Sequence, residues 1–176
     1  MINTKILLIS GHGAGDPGAV SGSYQEAKLT REVVKLVSPK LGKHAKVTVY
    51  PSGRDAVKDI QNGAWQAGWN YDYLLEIHFN SGGGTGSEIY VTQREAGITV
   101  EQAILKKLEK FYRNRGVKRT DFLVIKTAKN HGISSALLEV CFVDSKADME
   151  TYKKNKAGIS DAIVAGVVKG FNLKSE

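Results

Sequence analysis

The chain has a single cysteine among its 176 residues, and it has no long hydrophobic run. One cysteine excludes a disulfide within the chain, and the apolar segment around Cys141 is typical of a core residue rather than of a nucleophile. No apolar stretch approaches the ~20 residues that a helix needs to cross a bilayer, so we predict no membrane span. With 41% hydrophobic residues, the chain can bury a sizeable core as one domain.

The sequence also shows no internal repeat, no interior linker and no export signal. Met1–Thr4 leads straight into an apolar strand, which leaves no room for the charged segment, apolar segment and cleavage site of a signal peptide. We therefore expect a protein that is made in the cytoplasm and reaches its site of action after release. We predict one domain over residues 1–172, with residues 173–176 as a tail or the start of a linker.

Positive charge exceeds negative charge, with 25 Lys and Arg residues against 18 Asp and Glu residues. Such a surface attracts polyanions, and its densest cluster is the segment Arg113–Arg119. No helix-turn-helix or zinc-finger pattern accompanies this cluster, and no aromatic residues interleave with the basic ones as base stacking requires. We therefore predict no nucleic-acid partner, and the simplest explanation of the cluster is a solvated surface.

Short apolar runs alternate with segments of helical periodicity along the chain. This alternation predicts an α/β fold, with a mostly parallel or mixed six-stranded sheet and helices on both of its faces. The predicted strands are 5–9, 47–50, 73–79, 87–91, 122–125 and 136–143, and the predicted helices are 24–41, 55–68, 98–115 and 155–171.

Two of the apolar runs end in a histidine, and a third carries a carboxylate. His12 follows the strand over 5–9, His78 lies at the end of the strand over 73–79, and Glu139 occupies a position where an apolar side chain is expected. Functional residues of buried parallel strands collect at the sheet edge beyond the strand carboxyl ends. We expect these three side chains to lie close together there, as a metal site or as an acid/base site.

A glutamate at the start of the first long helix offers a third metal ligand. Glu26 follows a glycine-rich loop that begins directly after His12, and this loop can fold back over the sheet edge. Two histidines and a glutamate form one of the standard ligand sets of hydrolytic zinc sites, which keep a fourth position open. The helix dipole alone also favours an acidic residue in a first turn, so the spacing leaves both explanations open.

Four motifs, taken in order, resemble those of the zinc-dependent N-acetylmuramoyl-L-alanine amidases, the Amidase_3 family of autolysins and phage endolysins. The resemblance extends from residue 5 to about residue 170. It implies zinc as the cofactor, with His12, Glu26 and His78 as its ligands and Glu139 as the catalytic carboxylate. The motifs are Ser10-Gly-His-Gly-Ala-Gly-Asp-Pro-Gly-Ala19, Glu26-Ala-Lys-Leu-Thr-Arg31, Glu76-Ile-His-Phe-Asn80 and Ala136-Leu-Leu-Glu-Val-Cys-Phe-Val-Asp144.

The resemblance also implies the reaction, which is hydrolysis of the amide between N-acetylmuramic acid and the L-alanine of the stem peptide in bacterial peptidoglycan. Zinc would activate water, and Glu139 would act as general acid/base within hydrogen-bond reach of it. The residues leave open a structural ion pair of Glu139 with an arginine. Two other functions stay open as well: a zinc-dependent, peptidase-like hydrolase of another amide, and a non-catalytic cell-wall-binding module.

Two expectations concern the setting in which such an amidase works. The basic surface predicts an attraction to anionic wall polymers, which raised salt would weaken. The absence of a signal peptide favours a phage lysin over a host autolysin, because a lysin can wait in the cytoplasm before it acts on the cell wall.

Three further polar residues lie near the predicted site. Asn80 lies two residues beyond His78 on the same strand face, and either contacts substrate or forms a turn. Glu76 shares that face by the two-residue period of a strand, and either orients a histidine or belongs to a buried ion pair. His131 precedes the strand of Glu139, and either lines the cleft or lies in a loop.

Overall fold

The computed structural model describes residues 3–173, so most of the predicted tail at 173–176 lies outside the described residues. Within this part of the chain, no helix is long and apolar enough to cross a membrane. The strands are β1 (Lys5–Ser10), β2 (Val20–Ser21), β3 (Tyr24–Gln25), β4 (Lys46–Val49), β5 (Tyr73–Asn80), β6 (Ser87–Val91), β7 (Asn114–Arg119) and β8 (Ser134–Phe142). The helices are α1 (Glu26–Leu41), α2 (Ala56–Gln61), α3 (Thr99–Leu108), α4 (Leu123–Asn130) and α5 (Lys146–Gly170).

Six of the strands form one mixed sheet in the order β4-β1-β5-β8-β6-β7, and β2 and β3 form a separate small hairpin. The neighbours from β4 to β8 are parallel, β6 is antiparallel to β8, and β7 is parallel to β6. This topology confirms the predicted α/β class with a mostly parallel sheet. The carboxyl ends of β1, β5 and β8 meet at one edge, as the position of the strand-end histidines requires.

One face of the sheet carries the larger core, against α1, α3 and α5. Alternate strand positions supply it, because successive side chains of a strand point to opposite faces. The strand residues of this core have almost no exposed surface, and they include Ile6, Leu8, Leu75, Ile77, Ile89 and Leu138.

The opposite face packs against the short helices α2 and α4, and its apolar positions stop before the carboxyl edge. Leu74 in β5 and Leu137 in β8 are buried in this second core. By the two-residue period, β5 continues on the same face with Glu76 and His78, and β8 continues with Glu139. Side chains of β5 and β8 therefore keep alternating between the two faces of the sheet. On this face they change from apolar to ionisable near the carboxyl edge.

The predicted boundaries are wrong between residues 98 and 130. Helix α3 ends at Leu108 instead of 115, and the basic segment that follows forms the edge strand β7. The predicted strand 122–125 is the beginning of α4, in which Val124, Ile125 and Ala128 are buried at helical spacing. A four-residue apolar run does not distinguish a strand from a helix turn by periodicity, and charged residues suit an edge strand. The sheet keeps six strands because β7 takes the place of 122–125.

Three other predicted helices also change their bounds. The helix predicted over 24–41 begins at Glu26, because Tyr24 and Gln25 pair with β2. The helix predicted over 55–68 ends at Gln61, and stacking of Trp65 on Trp69, with ring centroids 4.4 Å apart, holds part of the segment that follows. Helix α5 begins at residue 146 instead of 155, and its one non-helical residue is Asn155, where the two helical parts join.

Close packing of α5 on α3 depends on Gly166, which gives a first prediction. A Cβ at this position would lie 2.7 Å from the backbone nitrogen of Ile104 and nearer still to its Cα. We expect Gly166→Ala to lower the free energy of unfolding by about 1–3 kcal/mol, because backbone cannot move aside as a side chain can. At an unhindered helix position the same change stabilises by up to about 1 kcal/mol.

Gly158 in the same helix is the matched control for urea unfolding of Gly166→Ala. A Cβ there would meet only the ring of Phe111, with Cζ at 2.9 Å, and that ring can shift. Gly158→Ala should therefore lose less stability than Gly166→Ala. Equal stability of Gly166→Ala and the parent protein would contradict the proposed helix contact.

Candidate metal centre

The backbone directly after β1 holds His12 in an unusual conformation. Its φ of 62° lies in the left-handed region, which residues other than glycine rarely adopt. Two side chains from α1 fix this turn: Thr30 Oγ1 donates to the carbonyl of Gly11 at 3.0 Å, and the Arg31 guanidinium donates to the carbonyl of His12 at 2.9 Å. The turn thereby brings the His12 ring beside that of His78, with ring centroids 4.9 Å apart.

The carboxylate of Glu26 lies between the two histidines. Its Oε2 is 3.0 Å from His12 Nε2 and accepts the backbone N–H of Ala19 at 2.9 Å. Its Oε1 accepts His78 Nδ1 at 2.9 Å and the backbone N–H of Phe79 at 3.0 Å. Glu26 is only 4% exposed, so two backbone N–H groups and two imidazoles surround a nearly buried carboxylate.

These contacts change the acidity of all three groups. Burial opposes ionisation of Glu26, but the hydrogen bonds from His12 and His78 outweigh it and hold its pKa well below the usual range. Burial likewise opposes the charged form of His78, but Glu76 and Glu26 raise the pKa of this imidazole well above its ordinary value. For His12, burial is again outweighed, here by Glu26 and Asp16, and the pKa is raised.

Each histidine has a second carboxylate beside its ring. Asp16 Oδ2 lies 2.9 Å from His12 Nδ1, and its other oxygen accepts the backbone N–H of Gly18 at 2.9 Å. Glu76 Oε1 lies 3.1 Å from His78 Nε2 but is not aligned for a hydrogen bond, so this buried nitrogen has no hydrogen-bond partner within residues 3–173. The structure thus places Glu76 against His78, as the strand period predicts.

Glu139 lies in the middle of the same edge. It is paired in register with His78 of β5 on one side and with Glu88 of β6 on the other. Its Oε2 is buried and has no hydrogen-bond partner in the described part of the chain. Burial raises the pKa of Glu139 to about 7; the nearby His78 opposes the shift, and Glu26, Glu88 and Glu76 add to it. Such a group can both take and give a proton near neutral pH.

The other two predicted site residues, Asn80 and His131, lie in different places. Asn80 stays near the site, where its Nδ2 donates to Glu88 Oε1 at 2.7 Å and its Oδ1 accepts the N–H of Ser81 at 2.8 Å. His131 does not line the cleft: it lies at the carboxyl end of α4, stacked on Trp69 with ring centroids 4.2 Å apart. The residue follows α4 and comes before β8 begins, so it lies at the opposite end of that strand from Glu139.

Sequence reasoning gave no role to Glu88, which is buried beside Glu139. The signal for Glu88 was its place in the strand 87–91, next to the buried Ile89. Successive strand residues point to opposite faces, so Glu88 lies on the face away from Ile89, which is the face of its register partner Glu139. Reading that signal requires knowledge that β6 pairs with β8, and strand order does not follow from a single sequence.

The donor set of this centre fits a divalent metal ion. His12, Glu26 and His78 each offer one ligand atom, and these three atoms lie within 4.8 Å of one another. Zinc held tetrahedrally by nitrogen and oxygen at about 2.1 Å separates its ligand atoms by about 3.4 Å, close to the spacing of the Glu26 oxygens from the imidazoles. Glu139 Oε2, which is buried and has no hydrogen-bond partner within residues 3–173, is a polar atom that a ligand of the bound ion would satisfy.

Comparison with known proteins identifies the family. The Amidase_3 family model, described as N-acetylmuramoyl-L-alanine amidase, matches residues 6–169. The chain belongs to this family. The amidase is similar to N-acetylmuramoyl-L-alanine amidase CwlM of Bacillus licheniformis, with 31% identity over 96% of this chain and 69% of that protein. It is also similar to the sporulation-specific N-acetylmuramoyl-L-alanine amidase of Bacillus subtilis, with 28% identity over 97% of this chain and 69% of that protein.

Some relatives are much longer than this amidase. It covers only 38% of the probable autolysin PH of Staphylococcus aureus, at 27% identity. Solved structures share the fold at lower identity. The catalytic domain of CwlV from Bacillus (Paenibacillus) polymyxa aligns with a TM-score of 0.80 at 22% identity, covering 98% of this chain and all of that one. The catalytic domain of the CD27L endolysin aligns with a TM-score of 0.77 at 24% identity, covering 95% and 98% of the two chains.

A second prediction tests the close approach of the β1 turn to His78. A Cβ at Gly11 would lie 2.7 Å from His78 Nδ1 and nearer still to the rest of the ring edge. We expect Gly11→Ala to displace this ring and weaken zinc binding by about tenfold to a hundredfold, as loss of ligand orientation does at other sites. Competition with a chromophoric chelator measures the affinity.

Gly53→Ala is the control, because a Cβ at Gly53 would meet no atom within 4 Å. Circular dichroism of both variants establishes that the fold is retained. Unchanged zinc affinity in a folded Gly11→Ala protein would contradict the role assigned to this turn.

Proposed function

We propose that this amidase hydrolyses the amide between N-acetylmuramic acid and the L-alanine of the peptidoglycan stem peptide. In this proposal His12, Glu26 and His78 hold zinc, and Glu139 is the general acid/base. The observation that carries the proposal is the convergence of two imidazoles and one carboxylate within 4.8 Å, one strand away from a buried glutamate with an unpartnered oxygen. Family membership supplies the substrate, since the matched model is that of N-acetylmuramoyl-L-alanine amidases.

Zinc at this centre would supply a Lewis acid for the scissile carbonyl and for the attacking water. The protein contributes ligands whose orientation is fixed before the ion binds. Backbone N–H groups of Ala19 and Phe79 hold the two oxygens of Glu26, and Asp16 holds the ring of His12 through Nδ1. A second partner on a ligand fixes its orientation, and the loss of such partners weakens metal sites at other proteins about tenfold to a hundredfold.

Glu139 is suited to move the proton. Its pKa of about 7 allows the carboxylate to accept a proton from the attacking water and the resulting acid to donate it to the departing amine. In this proposal Glu139 lies beside the metal ligands, in register with His78 on the neighbouring strand, and is not itself a ligand. The ion pair with an arginine that the sequence left open is instead made by Glu88, whose Oε2 lies 2.6 Å from Arg115 Nε.

Anionic wall polymers as further partners stay a prediction from net charge. They do not enter the reaction. The reaction itself is distinguished from that of a hydrolase of another amide by its products.

The experiment that tests the proposed function is digestion of purified peptidoglycan with and without a chelator. We expect new L-alanine amino termini without new reducing sugars, because the bond that is cut joins a sugar acid to a peptide. Chelation should abolish their release, and zinc should restore it. Release of other amino termini would instead indicate a peptidase, and wall binding without any release would indicate a binding module. Activity that persists after metal removal would contradict the zinc mechanism.

A fourth experiment isolates the role of Glu139. We expect Glu139→Gln to lower kcat by about a hundredfold to ten-thousandfold, the usual contribution of a general acid/base, while zinc content stays at the level of the parent protein. Elemental analysis measures zinc, and release of L-alanine termini measures the rate. Glu150→Gln removes an exposed carboxylate on α5 and should keep full activity. Full activity of Glu139→Gln would exclude the proposed mechanism.

A further inference from the structure

A bulge in β7 turns two basic side chains toward Glu88, the neighbour of Glu139 on β6. Ser87 pairs with Asn114 and Ile89 pairs with Val117, so β7 has one extra residue opposite Glu88. Gly116 lies in this bulge with a φ of 87°, a conformation that favours glycine. In a regular strand, Arg115 and Lys118 would point to opposite faces, because they are three residues apart. The bulge allows both of them to reach Glu88.

The contacts around Glu88 leave positive charge in excess. Arg115 Nε donates to Glu88 Oε2 at 2.6 Å, and Lys118 Nζ donates to the same oxygen. The other oxygen accepts Tyr90 Oη at 2.8 Å and Asn80 Nδ2 at 2.7 Å. Burial opposes ionisation, but hydrogen bonds from Lys118 and Arg115 lower the pKa of Glu88 to about 2. One ionised carboxylate therefore faces two cations, so Glu88 alone does not neutralise both of them.

The side chains of Arg115 and Lys118 are held in place by aromatic rings and are partly exposed to solvent. The Arg115 guanidinium lies 5.0 Å from the ring centroid of Phe142, and Lys118 Nζ lies 5.6 Å from that of Tyr90. The two side chains keep 28% and 38% of their surface exposed, and neither has another ion-pair partner within residues 3–173. An ordered, partly exposed cation pair of this kind suits a two-oxygen anion, because arginine donates to carboxylates in a planar fork.

The cation pair lies beside the proposed catalytic carboxylate. Glu88 is the register partner of Glu139, and β7 is the next strand beyond it. Strands are about 4.8 Å apart, so β7 runs about 10 Å from β8, and its two basic side chains extend back across part of this distance. An extended peptide covers about 3.3–3.6 Å per residue, so the pair lies within about three residues of the bond at Glu139.

We propose that Arg115 and Lys118 bind a carboxylate on the peptide part of the substrate, within three residues of the scissile amide. This inference rests on the proposed function. The chemistry of the bond favours the peptide side, because the carboxyl group of the lactyl unit is already consumed in the amide and leaves the sugar side without a carboxylate. The peptide side keeps its terminal carboxylate and those of any acidic residues.

The test uses two N-acetylmuramoyl peptides that differ at one position within the first three residues, with a free carboxylate in one and a carboxamide in the other. The parent protein should prefer the carboxylate by about tenfold or more in kcat/KM, as expected for a hydrogen bond to a charged group. The double variant Arg115→Gln/Lys118→Gln should lose this preference. The double variant Lys43→Gln/Lys110→Gln changes net charge equally, at exposed positions in the turns after α1 and α3, and should keep the preference.

A further variant separates recognition from folding. Removing both cations leaves the buried carboxylate of Glu88 unpaired, so the triple variant with Glu88→Gln removes that charge as well. It should fold and also lack the preference. An equal loss on both substrates in the double and triple variants would overturn the inference, since a purely structural role does not distinguish carboxylate from carboxamide.

Nuclear magnetic resonance gives a readout that does not depend on turnover. The Nε–Hε signal of Arg115 should shift when the free peptide carrying the carboxylate is added, and it should not shift with the carboxamide peptide. A shift with inorganic phosphate alone would indicate a site for phosphate polymers and overturn the inference. Cleavage of neither substrate by the parent protein would contradict the proposed function, while the resonance shift would still decide the carboxylate site.

Discussion

The carboxylate of Glu26 ties together the three chain segments that form the candidate metal centre. One oxygen contacts the His12 ring and the backbone N–H of Ala19, and the other contacts the His78 ring and the backbone N–H of Phe79. The carboxylate therefore joins the start of α1 to the turn after β1, to the loop before α1 and to the end of β5. Without it, the two neighbouring imidazoles would have no shared counter-ion.

The sheet determines what surrounds this centre. Strand β5 supplies Glu76 and His78 to one face, and parallel β8 adds Glu139 beside them. The antiparallel strand β6 then brings Glu88 next to Glu139. The opposite face of the same strands is packed with apolar side chains against α1, α3 and α5, which holds the strands rigid. Ionisable groups are thus concentrated on one side of the carboxyl edge, and a rigid core supports them from the other side.

The sequence predicts those parts of the site that short patterns along the chain indicate. Buried strands that end in histidine, and a glutamate in an apolar run, predicted where His12, His78 and Glu139 would meet, because parallel strands share their carboxyl edge. The segment Arg113–Arg119 was mistaken for the end of a helix, since its strand character depends on pairing with β6 and on the bulge at Gly116. Of the two alternatives that the sequence left open for His131, the structure has the loop position between α4 and β8. Glu88 depends on strand order, which local patterns do not contain.

We propose that one zinc ion in the native protein is held by His12, Glu26 and His78. Diffraction from crystals of the purified protein, recorded above and below the zinc absorption edge, tests it most directly. We expect one anomalous peak, about 2.0–2.2 Å from a nitrogen of each histidine and from an oxygen of Glu26, with Glu139 outside that shell. A peak at other residues, or a zinc-reconstituted crystal with no peak at these three, would contradict it.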